Sequence, residues 1–129
     1  MPVRYLNAFA LFILLAGCGK SGPDLAPVSG VIKIDGEPME NVDVAFQPQE
    51  GKSPSYGRTD KNGHYELGYK QGVVGALVGK HTVRITASHE LMRNPPNLPA
   101  KFNSSSELTY EVKSGKNDDA NFDVTSEGK

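Results

Sequence analysis

Apolar side chains recur at every second position in segment after segment of this 129-residue chain. That period commits it to extended structure, because successive side chains of a strand point to opposite faces. Val28, Ile32 and Ile34 share a phase against Ser29, Lys33 and Asp35; Val42, Val44 and Phe46 alternate with Asp43, Ala45 and Gln47. Tyr65, Leu67 and Tyr69, then Val83, Ile85 and Ala87, then Leu108, Tyr110 and Val112 repeat the pattern, and Phe122 and Val124 flank Asp123. No stretch carries a helical period. Asp35-Gly36-Glu37-Pro38 reads as a hairpin turn in which Pro38 ends the pairing, and Asp60-Lys61-Asn62-Gly63 reads as a second hairpin. With a short strand over 55–59, this predicts an all-β fold: seven short strands in a two-sheet sandwich. Fourteen Gly, nine Pro and no Trp fit such a turn-rich chain.

The N-terminus has a different logic. Arg4 precedes the apolar run Ala8-Phe9-Ala10-Leu11-Phe12-Ile13-Leu14-Leu15-Ala16-Gly17, too short for the roughly 20 residues of a permanent span. It has the layout of a secretory signal peptide. The sole cysteine follows at once, and Leu15-Ala16-Gly17-Cys18 resembles the bacterial lipobox at all four positions. The resemblance implies cleavage between Gly17 and Cys18, acylation of Cys18, and an extracytoplasmic protein held on the membrane by its N-terminal lipid. Gly19 stands where Asp would signal inner-membrane retention, which favours the outer membrane. The organisation expected is a signal peptide over 1–17, lipidated cysteine and flexible tether over 18–26, one β-sandwich over 27–125 and a tail over 126–129.

Val28-Ser29-Gly30-Val31-Ile32-Lys33-Ile34-Asp35-Gly36-Glu37-Pro38, Thr59-Asp60-Lys61-Asn62-Gly63-His64-Tyr65-Glu66-Leu67 and Gly79-Lys80-His81-Thr82-Val83-Arg84-Ile85 resemble the opening strand, the hairpin and a later strand of carboxypeptidase regulatory-like domains. With the lipobox, the chain resembles small bacterial lipoproteins of that transthyretin-like kind. The resemblance implies the sandwich and no particular activity, since these motifs are turn and core residues.

The residues that could carry chemistry do not assemble into a motif. His64, His81 and His89 lack close strand spacing, and the one cysteine is committed elsewhere, so no metal site and no cofactor are expected. His81 shares the inward phase of Val83, whereas His64 points outward. Gly63 closes the 60–63 loop too early for a calcium loop. Gly75-Ala76-Leu77-Val78-Gly79-Lys80 has one residue too few between its glycines for a phosphate loop, and His81 follows the lysine. Ser104-Ser105-Ser106 lies outside any nucleophile elbow. The 5-hydroxyisourate hydrolases of transthyretin-like fold end in Tyr-Arg-Gly-Ser; this chain ends Thr125-Ser126-Glu127-Gly128-Lys129, leaving a hydrolase as a remote alternative. A net charge of −1 gives no field for nucleic acid.

What remains is a non-catalytic binding or structural module at the cell envelope, its partner an envelope protein or, alternatively, a cell-wall glycan. Tyr56 and Phe102 are the aromatics placed off the apolar phase. The long 88–107 connection is expected to hold a short strand or turn of helix. Its Arg93, Lys101 and Phe102 are the candidate partner contacts with Tyr56, unless the connection serves as a proline-stiffened cover over one end of the sandwich.

Overall fold

The computed structural model describes residues 23–127. The expected signal peptide, the cleavage and lipidation position at Gly17 and Cys18, and most of the tether lie outside the described residues.

The described chain is all-β. The strands are β1 (Leu25–Ala26), β2 (Ser29–Ile34), β3 (Glu37–Pro38), β4 (Val42–Pro48), β5 (Ser55–Arg58), β6 (His64–Glu66), β7 (Ala76–Leu77), β8 (Gly79–Ala87), β9 (Leu108–Val112) and β10 (Phe122–Val124). One four-stranded sheet runs β5-β4-β8-β9, a second joins β10, β2, β3 and β6, and β1 pairs with β7 in a small third. The spine of the first is the antiparallel β4–β8 ladder, from Val42 opposite Ala87 to Pro48 opposite His81. In the second, β10 lies parallel to β2, Phe122 opposite Ile32.

The inward phase is buried as the period requires. Val42, Val44 and Phe46 of β4, Val83 and Ile85 of β8, Ile32 and Ile34 of β2, Tyr65 of β6 and Val124 of β10 form one continuous core, each at most 1 % exposed. Burying a side chain of this size contributes about 1.5–3 kcal/mol. The sandwich-like stack therefore depends on two sheets that share these residues rather than on either sheet alone. Tyr65 crosses the core and donates its hydroxyl to the Ala120 carbonyl at 2.6 Å.

The structure corrects the strand count and two turn readings. Among the described residues there are ten strands rather than seven. The additional β1, β3 and β7 are two residues each, too short to show a period. Asp35 and Gly36 both take positive φ, 56° and 86°, the geometry of a two-residue hairpin loop. Pro38 does not end the pairing; it sits opposite Lys33 in the β2–β3 ladder. The 60–63 turn closes as expected, with Asp60 accepting from the backbone N–H groups of Asn62 and His64, but it does not head a regular hairpin. β5 pairs with β4 and β6 with β2, so this turn carries the chain from one sheet to the other. The two arms hydrogen-bond again where Tyr56 pairs with Gly68.

Candidate functional site

The sequence-derived contact residues fall in two places. Tyr56 lies on edge strand β5, 61 % exposed. It stands opposite Ala45, which is itself opposite Arg84. Residues facing each other across a ladder share a face, so Tyr56 and Arg84 flank the small Ala45 side chain on the outer surface of the sheet. Arg58 and Asp43 close one side of this shallow depression of about 410 Å³, joined by a 2.7 Å hydrogen bond from Arg58 Nε to Asp43 Oδ1. That bond, then the carboxylate's charge, holds Arg58 more firmly in its charged form. An aromatic ring, a small floor and guanidinium groups suit a planar or polyhydroxylated ligand bearing acceptor oxygens.

Arg93, Lys101 and Phe102 belong to the 88–107 connection. Arg93 and Lys101 are exposed. Phe102 is partly buried and packs against the core with Met92 and Leu98, so the aromatic expected in solvent serves as a plug as well. The expected turn of helix is the 3-10 turn Ala100–Phe102. Lys101 Nζ lies 5.3 Å from the Phe102 ring centre, and Ser106 donates its hydroxyl to the Val83 carbonyl, tying the connection to β8.

At the opposite end of β8 a cleft of about 390 Å³ lies beside the point where the chain enters the domain, lined by Pro23, Asp24, Lys52, Tyr69, Lys80 and His81 among others. His81 is fully buried on the inward phase, as expected. Its Nε2 is 2.7 Å from the Leu77 carbonyl, which requires the proton on Nε2. Nδ1 has no partner, and among the described residues the other buried side-chain polar atom without one is Ser55 Oγ. The His81 ring packs 5.5 Å from the Phe46 ring in the core. Among the described residues no group of three or more His, Cys, Asp or Glu side chains could hold a metal ion, and no helix is long and apolar enough to cross a membrane.

Three features escaped sequence reasoning. Val73 and Val74 are 49 % and 53 % exposed, hidden in a glycine-rich run without alternation. Arg84 alternates outward like any solvated cation, and only its register opposite Ala45 places it across from Tyr56. Asn117 is buried: its side chain accepts from Lys113 N–H and donates to the Lys113 and Pro27 carbonyls. The polar cluster Ser114-Gly115-Lys116-Asn117 was the available signal, a turn-forming string, but nothing local shows that the turn folds inward.

Comparison with protein-family models, with curated proteins and with solved structures finds no match.

Proposed function

We propose that this chain is a lipid-anchored, non-catalytic β-sandwich of transthyretin-like architecture that acts as a binding or structural module at the cell envelope, with the outer membrane the favoured surface. The observation carrying the proposal is the position of the only cysteine, directly after Leu15-Ala16-Gly17 and close ahead of a domain that begins near Leu25. Turn motifs at 35–38 and 60–63, set in a two-sheet core, support the architectural part. Cys18→Ser tests the anchor, because a hydroxyl cannot replace the thiolate in diacylglyceryl transfer. The variant is expected to accumulate as uncleaved precursor or to leave the membrane fraction. Unchanged mass and unchanged fractionation would refute the anchor.

The alternative partner, a cell-wall glycan, is favoured by one specific arrangement: exposed Tyr56 beside Ala45, Arg58 and Arg84. Tyr56→Ala and Arg84→Ala are expected to lower retention on cell-wall polysaccharide if this depression is the site. Retention unchanged in both, with loss of a cross-linked envelope protein on changing Arg93 and Phe102, would assign binding to the 88–107 connection.

A further inference from the structure

We propose that the loop between β6 and β7, with the tether root beside it, is a membrane-docking surface that rests in the headgroup region of the bilayer holding the lipid anchor. The proposal rests on the lipid-anchor reading and adds an orientation: the domain lies with its β7 end on the membrane and its 88–107 end pointing away.

The loop is built to present apolar groups. Lys70–Gly72 forms a 3-10 turn in which Gln71 and Gly72 take positive φ, 58° and 77°, reversing the chain just before Val73 and Val74. These two valines, Tyr56 and Leu91 are the exposed large hydrophobic residues among those described. Val73 lines a hollow of about 440 Å³ with Pro23, Leu25, Tyr69, Lys70 and Gln71. Among the described residues Lys70 is the one charged side chain lining it, its Nζ 6.0 Å from the Tyr69 ring centre. Asp24 and Glu50 line the neighbouring cleft instead. Valines flanked by a tyrosine and a lysine match the two layers of a bilayer interface: acyl boundary for the aliphatic groups, headgroups for ring and ammonium.

Chain length selects the occupant. Pro23 forms part of the hollow and lies five residues after Cys18, a span of at most about 18 Å when fully extended. An acylated Cys18 therefore holds the valines within reach of the interface. A contact too weak to recruit a free protein becomes effective when it is made intramolecular in this way. The other end of β8 lies roughly 26 Å away along the strand, and exposed Leu91 is beyond it.

The chain contains no tryptophan, which makes the test direct. Protein expressed from the full sequence, extracted as the cell processes it and carrying Val73→Trp, Val74→Trp or Leu91→Trp, is mixed with vesicles of phosphatidylethanolamine and phosphatidylglycerol, with circular dichroism confirming the fold of each. Tryptophan at 73 or 74 is expected to shift its emission to the blue and to lose intensity when the vesicles contain brominated acyl chains. Tryptophan at 91 should do neither. Vesicle flotation with no quenching at 73 and 74 overturns the docking surface and leaves the anchor standing. Failure to float with vesicles overturns the anchor, and the docking surface with it. A blue shift that needs no vesicles and follows protein concentration assigns the valines to a second copy of this chain and also overturns the proposal.

Discussion

The β4–β8 ladder and the 88–107 connection are joined at Ala87 and solve the same problem by different means. In the ladder, seven opposed pairs satisfy the backbone, and the two-residue period sorts every side chain to core or solvent. The connection has one 3-10 turn and depends on isolated devices. Met92, Leu98 and Phe102 reach down to the core, Met92 N–H returns to the Ser88 carbonyl, and Glu127 N–H reaches the Asn97 carbonyl. Repetition makes the ladder strong and intolerant. The connection holds at a few points, and the positions between them are free to vary, which is where a partner surface can change without loss of fold.

Breaking the ladder is expected to be most costly. Val44→Asp places an unpaired carboxylate where Val44 is 1 % exposed, at a cost of several kcal/mol, comparable with the whole stability of a small domain. Asp43→Val, one residue away and facing outward, should barely move the midpoint. Thermal denaturation followed by circular dichroism checks both, and equal melting temperatures would contradict the register.

A smaller loss is expected where the second sheet is pinned. A Cβ at Gly30 would stand 2.0 Å from the Ala120 carbonyl oxygen, and that carbonyl already accepts from Tyr65. Gly30→Ala should cost about 3 kcal/mol, the upper part of the range for overpacking. Urea unfolding measures it, and a change under 1 kcal/mol on the order of ordinary surface substitutions would show that the 120 segment yields.

The connection should respond unevenly. Phe102→Ala removes a partly buried ring and is expected to cost roughly 2 kcal/mol, below the loss for a fully buried phenylalanine. Leu91→Ala and Arg93→Ala, both at exposed positions, should leave stability almost unchanged. If Phe102→Ala is equally silent, the ring is no plug and the connection is a binding loop alone.

The mildest effect is one of pH. Burial, then the hydrogen bond to Asp119, pushes the Tyr110 hydroxyl up to about 12, and burial also raises Tyr65. The unfolded chain loses these protons near pH 10, before the native state does. Their stabilisation is therefore complete below about pH 10; the Tyr110 part is lost as pH rises toward 12, and the Tyr65 part goes on falling at still higher pH. Urea midpoints measured from pH 8 to 11 should fall, and less steeply in Tyr110→Phe.

Much of the inward surface was legible because it is written locally. Each of the seven expected strands overlaps one of β2, β4, β5, β6, β8, β9 and β10, although the alternation read through Tyr69 outruns β6, which ends at Glu66, and the burial of His81 followed from its phase with Val83. The candidate contacts were less legible. Tyr56 is exposed where its position off the apolar phase placed it, but Phe102 reaches the core because the 3-10 turn at Ala100 aims it there, and no period exists in that stretch to announce it. Val73 and Val74 were silent for the opposite reason: adjacent valines in a glycine-rich run look like turn filler until the fold leaves them uncovered.

The sequence by itself determined which side chains of the long strands turn inward and where the chain reverses at 35–36 and 60–63, because strand alternation and positive-φ turns arise from the backbone geometry of a few neighbouring residues. The tertiary structure alone decided which strands pair. It set β10 parallel to β2 across some ninety residues of chain, opened the arms beyond 60–63 so that β5 and β6 serve different sheets, and brought the Ala120 backbone against Gly30. A strand offers the same unpaired N–H and C=O groups to any neighbour. Its partner is selected only when two apolar faces with distant addresses in the chain close over one core.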